Sequence, residues 1–226
     1  MIEYTLSTQN DIGKLRKDLF QSIDFEKFLT QNNITLNPEV LAYFDITTEH
    51  YHLLGYISTL MDNVNIIDTG THRGGSALAL SFNQSNNVYT YDRFPIRGGI
   101  ENNITPIPNN IKFDDSADIT ELIKTNKDRV LNSSIFFLDI NHEGPDEMKI
   151  FEFLLSNNYN GILILDDIHI NQEMIDVWNH IQSMDVISYD VTKLGHACDN
   201  GSGTGIVIFD KLHPCLPKIT DIVNKI

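Results

Sequence analysis

Basic residues, cysteines and long apolar runs are all scarce in this chain of 226 residues. Its 31 acidic residues outnumber its 16 lysines and arginines, which gives a formal net charge of −15. Because a face that binds nucleic acid needs clustered basic side chains, we expect no nucleic-acid partner. No apolar run approaches the roughly 20 residues that span a bilayer, and the first residues lack the basic flank and apolar block of a signal peptide. We therefore expect a cytoplasmic protein that has no membrane partner.

Two further motifs are missing. Cys198 and Cys215 do not form a Cys-x-x-Cys pair, so the sequence predicts neither a zinc site nor a disulfide framework, and both thiols are expected to be reduced. The dinucleotide fingerprint G-x-G-x-x-G would need a glycine at position 72, where this chain has His72. The length suits one α/β domain with a full core.

Residues 64–76 carry the strongest local pattern in the chain. Residues 64–68 are apolar and β-branched up to a final aspartate, which predicts a short buried strand. Gly70, Gly74 and Gly75 follow, and the next residues, Ala-Leu-Ala-Leu, predict a helix. A strand, a glycine turn and a helix in this order are typical of an open α/β sheet that binds a nucleotide-like ligand at its carboxyl edge.

The hydrophobic pattern along the rest of the chain predicts five strand–helix units and a terminal pair of strands. The predicted strands are residues 64–68, 88–91, 111–113, 135–139, 161–166, 186–189 and 205–209. Residues 1–62 are predicted to be a helical extension, and residues 63–226 form the sheet domain. In the extension, Asn37 is expected to cap one helix and Thr48 another, while His50 and His52 are expected to be solvated or to cap a helix end.

The segment Asp68-x-Gly70-x-x-x-Gly74 resembles the E/D-x-G-x-x-x-G motif of class I S-adenosylmethionine-dependent methyltransferases. The resemblance implies an α/β fold with a Rossmann-like seven-stranded sheet, mostly parallel with an antiparallel last strand, and helices on both faces. Asp92 ends the second strand, 24 residues after Asp68, where an acid can accept both ribose hydroxyls. The cofactor-binding residues expected on this basis are Asp68, Gly70, Thr71, Gly74, Ser76, Asp92, Asp115, Ser116 and Asp139.

Three carboxylates follow two strands that would be neighbours in such a sheet. Asp139 ends one strand, and Asp166 and Asp167 end the next. Crowded carboxylates repel one another and raise each other's pKa, and a divalent cation such as Mg²⁺, Mn²⁺ or Ca²⁺ removes that penalty. The sequence therefore predicts a metal site of Asp139, Asp166 and Asp167. The competing interpretation is that these acids cap helices and stay solvated.

The pattern Phe-Leu-Asp-x-x-His…Gly-x-Leu-Ile-x-Asp-Asp-x-His is similar to that of small metal-dependent O-methyltransferases of the catechol type and of the macrolide-sugar and glycan-modifying group. The resemblance covers about residues 60–210. His142 stands where the catechol-type enzymes carry a lysine, and His169 matches a histidine of the sugar-modifying group. The resemblance thus implies methylation of a sugar or glycan hydroxyl, with a phenolic or other small hydroxyl compound as the alternative.

His169 and His142 are the candidate bases, because a neutral imidazole can take a proton at physiological pH. His169 is preferred of the two. Three other interpretations stay open: a metal-independent methyltransferase, a nicotinamide or nucleotide-sugar enzyme on a related sheet, and a non-catalytic module that binds S-adenosylmethionine. A small molecule or a glycan is the expected partner, and association into a homo-oligomer is left open.

Overall fold

The computed structural model describes residues 14–45, 50–92, 100–114, 119–195 and 202–226. Strands β1 to β9 are Thr35–Leu36, Asn65–Thr69, Asn87–Tyr91, Ile104–Thr105, Ile111–Asp114, Ile135–Leu138, Ile162–Asp166, Ile187–Asp190 and Thr204–Ile208. Helices α1 to α10 are Phe25–Gln31, Pro38–Tyr43, Tyr51–Ser58, Gly75–Leu80, Ile119–Thr125, Lys127–Leu131, Pro145–Ser156, Gln172–Ser183, Thr192–Gly195 and Leu216–Val223. Residues 14–19 are also helical.

Seven strands form the central sheet, in the order β5-β3-β2-β6-β7-β9-β8. Strand β9 runs antiparallel to both of its neighbours, β7 and β8, and the other pairs in the sheet are parallel. The predicted seven-stranded, mostly parallel sheet with an antiparallel last strand is confirmed. Its parallel order places the carboxyl ends of β3, β2, β6 and β7 along one edge, in that sequence.

Helices cover both faces of the sheet, so its central strands are buried. Every residue of β6 and β7 is buried, as expected for apolar strands at the centre of a parallel sheet. Successive residues alternate between the two layers: Ile66 and Phe137 belong to one core cluster, whereas Ile67 and Phe136 belong to the other. Helices α1 to α4 and α10 contribute to the first cluster, and α5 to α8 contribute to the second.

The N-terminal helices share the core of the sheet domain. Phe25, Leu53 and Ile57 lie in the same apolar cluster as Ile66 of β2. Arg16, only 1% exposed, donates from Nε and Nη2 to the carbonyl oxygen of Lys193 at distances of 3.0 and 2.9 Å. The extension is therefore attached to α9 at the far end of the chain as well as to the sheet.

Helix α2 begins with the capping residues that the sequence predicts. Asn37 accepts a hydrogen bond from the backbone N–H of Glu39, and Pro38 occupies the first turn of α2. Thr48 lies outside the described residues.

A small two-stranded sheet lies apart from the central sheet. In it, β1 pairs antiparallel with β4, so Thr35 faces Thr105 and Leu36 faces Ile104. Two-residue strands are too short to show a periodicity, so the hydrophobic pattern of the sequence does not indicate this pair.

The connection from β5 to β6 forms two short helices, α5 and α6, with Asn126 between them. Of the described helices, none is long and apolar enough to cross a membrane.

Candidate functional site

The glycine turn after β2 is shaped by a close approach to β6. Gly70 has φ +86°, and a Cβ placed there would lie 1.5 Å from the carbonyl oxygen of Asp139. Gly74 has φ +87°, and its Cβ would lie 2.4 Å from Cγ1 of Ile100. Both positions therefore require glycine, for conformation as well as for space. The turn is closed by a 2.7 Å hydrogen bond from the N–H of Gly74 to the carbonyl of Thr71.

Asp68 lies beneath this turn and is fully buried. Its Oδ2 accepts a hydrogen bond from the Thr90 hydroxyl on β3, and that hydroxyl also contacts the hydroxyl of Thr71. Its Oδ1 has no hydrogen-bond partner among the described residues. Burial raises the pKa of Asp68 to about 6, although hydrogen bonding by the hydroxyls of Thr90 and Ser76 opposes the shift.

Asp92 connects the turn to the end of β3. Its Oδ2 accepts a hydrogen bond of 2.8 Å from the backbone N–H of His72. His72, which replaces the glycine of the dinucleotide fingerprint, has φ +44°, so the backbone there is left-handed even without a glycine. The carboxylate of Asp92 therefore lies beside the turn at the carboxyl edge, where it was expected.

These residues fit S-adenosylmethionine by the chemistry of the groups they offer. The ribose hydroxyls and the amino group of that cofactor donate hydrogen bonds, and the edge offers the acceptors Asp68, Asp92 and Asp139. The unsatisfied Oδ1 of Asp68 is the kind of buried acceptor that calls for a partner. Thr71 and Ser76 are buried, at 1% and 5% exposure, so they shape the turn from inside. Asp115 and Ser116, also predicted to bind the cofactor, lie outside the described residues.

A second group of side chains lies at the ends of β6 and β7. Nε2 of His142 is 3.0 Å from Oδ1 of Asp139 and 3.2 Å from Oδ2 of Asp167. One potential ligand atom from each of these three residues lies within 4.8 Å of the other two. Because β6 and β7 are parallel neighbours, residues that leave them meet at the same edge. We call Asp139, His142 and Asp167 the Asp–His–Asp cluster.

Electrostatics within the Asp–His–Asp cluster favour a positive charge. Burial raises the pKa of Asp139 to about 7, and the charges of Asp166 and Asp167 add to this while His142 opposes it. Burial lowers the pKa of His142, but the hydrogen bond to Asp139 and the three surrounding carboxylates outweigh it and raise the pKa to about 9. The imidazole of His142 is therefore protonated, and the same carboxylates that stabilise its positive charge would also stabilise a bound metal cation.

The backbone of the cluster is strained and firmly held. His142 and Asp167 have φ of +56° and +57°, in the left-handed region that side chains other than glycine rarely adopt. Glu147, only 1% exposed, accepts hydrogen bonds from the N–H groups of His142 and Gly144 at 2.8 and 2.9 Å. Asn171 donates to the carbonyl of His142 at 2.8 Å. Strained backbone conformations that are held by surrounding contacts cluster at functional sites.

Asp166, the third predicted metal ligand, is placed differently from the other two acids. It is 5% exposed, and its Oδ1 accepts a 3.3 Å hydrogen bond from Thr204 and lies 3.6 Å from Nδ1 of His50. It is not part of the Asp–His–Asp cluster, but its charge raises the pKa of both Asp139 and His142. Its role as a direct ligand stays a prediction.

His50 and His52 were expected to be solvated or to cap a helix, and this was wrong. They are 4% and 8% exposed, and His50 precedes α3 without a side-chain capping hydrogen bond. The His50 ring packs on Phe137 of β6, with 5.4 Å between ring centroids. The extension therefore contributes a histidine to the sheet edge next to Asp166, which no local sequence pattern could indicate.

The two candidate bases lie in different places. His142 belongs to the Asp–His–Asp cluster, whereas Nε2 of His169 lies 2.8 Å from Oδ2 of Asp190 at the end of β8. Asp190 was not singled out in the sequence. Glu147 and Asn171 were not singled out either, although their positions at helix starts carry a signal: Glu147 is the third residue of α7, where an acid can accept from the N-cap backbone, and Asn171 is the N-cap of α8.

No protein-family model matches the chain, and no curated protein matches it. Solved structures are similar to it. One is TomG, an O-methyltransferase from Streptomyces achromogenes involved in tomaymycin synthesis, in complex with S-adenosylmethionine; the TM-score is 0.54 at 12% identity, over 81% of this chain and 95% of TomG. Another is a provisionally assigned caffeoyl-CoA O-methyltransferase from Staphylococcus aureus, with a TM-score of 0.53 at 16% identity, over 87% of this chain and 98% of that one. This likeness shows that the chain has the class I methyltransferase fold.

Proposed function

We propose that the chain is an S-adenosylmethionine-dependent O-methyltransferase that uses a divalent cation and acts on a hydroxyl of a sugar or glycan. The observation that carries the proposal is the Asp–His–Asp cluster beside the glycine turn, at the carboxyl edge of a methyltransferase sheet. In this fold, the edge is where ligands bind. The left-handed backbone at His142 and Asp167 supports a functional role, since strain of this kind needs a reason to persist.

The donor half of the site is the turn after β2 together with the end of β3. When bound, S-adenosylmethionine supplies the activated methyl group. The chain binds and orients it: Asp92 accepts hydrogen bonds from the ribose, and the glycine turn lets the backbone approach the ligand. Asp68 keeps the turn in shape through Thr90.

The cation would be held by Asp139, His142 and Asp167, with Asp166 as a further candidate ligand. When bound, a divalent cation would stabilise the negative charge that develops on an acceptor hydroxyl. Carboxylates alone suit Mg²⁺ and Ca²⁺, whereas imidazole is preferred by transition metals. Of the three predicted ions, Mn²⁺ therefore fits the mixed oxygen and nitrogen ligands of the Asp–His–Asp cluster best.

His169 is the base in this proposal, because His142 is engaged by two carboxylates. Two features favour a sugar hydroxyl as acceptor over a catechol: the histidine in place of the catechol-type lysine, and the Asp-Asp-x-His pattern. A phenolic acceptor is the second candidate, and the similarity to the Staphylococcus aureus protein favours its inclusion.

The test is to incubate the purified chain with S-adenosylmethionine and Mn²⁺ and to measure S-adenosylhomocysteine with methyl hexosides and with 3,4-dihydroxybenzoate as acceptors. We expect turnover on a hexoside that stops in EDTA and returns with added Mn²⁺. Turnover that is unchanged in EDTA would remove the metal from the proposal. Calorimetry provides the other arm: binding of NAD but not of S-adenosylhomocysteine would contradict the proposal, and cofactor binding without turnover on any acceptor would indicate a binding module.

A further inference from the structure

Asp190, the last residue of β8, is held on both carboxylate oxygens. Its Oδ1 accepts hydrogen bonds from the backbone N–H of Thr192 at 3.0 Å and from the Thr192 hydroxyl at 2.5 Å. Its Oδ2 lies 2.8 Å from Nε2 of His169. Two hydrogen bonds from one neighbouring residue fix the plane of the carboxylate, so the oxygen that faces His169 has a defined direction.

The charge of Asp190 determines which nitrogen of His169 carries the proton. Burial of Asp190 opposes ionisation, but the hydrogen bonds from Thr192 and His169 outweigh it and lower the pKa. An ionised carboxylate only accepts hydrogen bonds, so Nε2 of His169 must be the donor. In the neutral imidazole the lone pair then lies on Nδ1, which has no hydrogen-bond partner among the described residues.

The ring of His169 is also held from the side. Its backbone N–H donates to the carbonyl of Ser202 at 2.6 Å. Gly203 has φ +84°, and a Cβ placed there would lie 2.7 Å from Cδ2 of His169. The Cδ2 side of the ring is therefore packed against Gly203, just before β9, and Nδ1 lies on the opposite side of the ring.

We infer that Asp190 is a positioning residue, which fixes the orientation and the tautomer of His169 so that Nδ1 is the proton acceptor. This inference rests on the proposed function, in which His169 is the base. In that reaction the acceptor O–H bond breaks and its proton goes to Nδ1, the new O–CH₃ bond forms, and the S–CH₃ bond of the sulfonium breaks to leave a thioether. Asp190 takes no proton and touches neither substrate, and it acts through Nε2 alone.

The simpler explanation is an ion pair that ties two surface segments together. The side chains of His169 and Asp190 are 34% and 40% exposed, and ion pairs at such positions add little to stability. A purely structural pair would leave the catalytic constants unmoved when Asp190 is made neutral and the fold is kept. The two explanations therefore differ in quantities that can be measured.

The test uses the full chain as Asp190→Asn, Asp190→Glu and Gly203→Ala, with Asp185→Asn as the matched control, because Asp185 is 94% exposed and pairs with Lys211. The first readout is the ¹⁵N-imidazole NMR spectrum at alkaline pH in the presence of S-adenosylhomocysteine, with the His169 signal assigned from His169→Gln. We expect the Nε2–H tautomer in the wild type and in Asp185→Asn, and a mixture of tautomers in Asp190→Asn. An Nδ1–H tautomer in the wild type would overturn the inference.

The second readout is steady-state kinetics with the methyl hexoside or 3,4-dihydroxybenzoate that the wild type turns over. Asp190→Asn should lower kcat by roughly 10- to 100-fold with KM within about twofold, which is the scale on which an orienting carboxylate matters. Asp190→Glu should recover part of the loss, and Gly203→Ala should lower kcat because the ring is displaced. Unchanged kcat in a folded Asp190→Asn would contradict the inference.

The two proposals can fail separately. If the wild type transfers no methyl group to any acceptor, the proposed function fails, while the NMR spectrum still decides which nitrogen of His169 is protonated. If the wild type is active and Asp190→Asn is as well, only the inference fails. Should Asp190→Asn not fold, Thr192→Val removes the hydroxyl that holds Asp190 and is measured in the same way.

Discussion

The glycine turn after β2 and the Asp–His–Asp cluster after β6 and β7 are neighbours on one sheet edge, but they are held by different forces. The turn is shaped by contact: Gly70 touches the backbone of Asp139 so closely that a Cβ has no room. The cluster is shaped by charge, with two acids around one histidine on a strained backbone. They meet at Asp139, whose backbone packs on the turn while its side chain belongs to the cluster.

The difference has a physical consequence for function. A turn held by packing keeps its shape whether or not a ligand is bound, so it provides a preformed place for a cofactor. A cluster held by mutual charge depends on the cation between its acids, whether that is a proton on His142 or a metal ion. Loss of the close contact at Gly70 should therefore lower stability, whereas loss of a side chain of the cluster should weaken ligand binding and leave stability almost unaltered.

Gly70→Ala should have the largest effect and would affect folding. The new methyl group would overlap the Asp139 carbonyl, and φ +86° is unfavourable for alanine, so we expect a loss of at least about 4 kcal/mol in the free energy of unfolding. Urea unfolding measures it. A loss below about 1 kcal/mol would mean that the turn is not held by this contact.

Asp139→Asn should weaken Mn²⁺ binding by roughly 100-fold or more. The loss of a residue that only hydrogen-bonds to a metal ligand weakens binding by about 10- to 100-fold, and the loss of a ligand itself should cost more. Stability without metal should change little, since the charge of the half-buried Asp139 is itself unfavourable in the folded state. Calorimetry with Mn²⁺ and urea unfolding measure the two quantities. Asp146→Asn is the control, as Asp146 pairs with Lys149 on α7. Equal Mn²⁺ affinity in both variants would contradict the role of Asp139 as a metal ligand.

Asp68→Asn should stabilise the chain at neutral pH. The folded pKa of about 6 lies above the ordinary 3.8, so the folded state alone is penalised for ionising Asp68. The penalty is absent below pH 4, grows as the pH rises to 6 and then stays constant, at up to about 3 kcal/mol. The stability gain of Asp68→Asn over the wild type should follow this course in urea unfolding from pH 4 to 8. A gain that is independent of pH would contradict it, and the exposed Asp176→Asn should show no gain.

His52→Leu should have the smallest effect, confined to acid. Burial lowers the pKa of His52 to about 4, so the folded state favours the neutral ring and the wild type loses stability as the pH falls from about 6.5 towards 4. At pH 5 this loss is at most about 2 kcal/mol, and His52→Leu should be spared it. Melting temperatures at pH 5 and pH 7 measure the effect. Methyl transfer at neutral pH should be unchanged, because His52 packs on Phe25, away from the Asp–His–Asp cluster.

The sequence was sufficient to predict what depends on local pattern. The strands were recognised because β6 is apolar throughout and β7 is apolar up to its final aspartate, and the turn because glycines at positions 70 and 74 follow a strand. The meeting of Asp139 with Asp167 followed from the parallel order of neighbouring strands. These features are all encoded within a few residues of each other or follow from a common topology.

What the sequence could not predict depends on contacts between distant segments. The approach of His50 to Asp166 requires the packing of α3 on the sheet, and the pairing of His169 with Asp190 requires β8 to lie beside β9. The side chain of His142 reaches the two aspartates because its backbone is left-handed, and Glu147 and Asn171 hold that backbone by hydrogen bonds. None of these contacts leaves a periodic signal.

The central claim is that a divalent cation binds between the ends of β6 and β7. The most direct test is an anomalous diffraction map at the manganese edge from crystals of the chain grown with S-adenosylhomocysteine and Mn²⁺. We predict a single strong peak bonded to carboxylate oxygens of Asp139 and Asp167 and to Nε2 of His142. No peak at millimolar Mn²⁺, or a peak away from these three side chains, would contradict the claim.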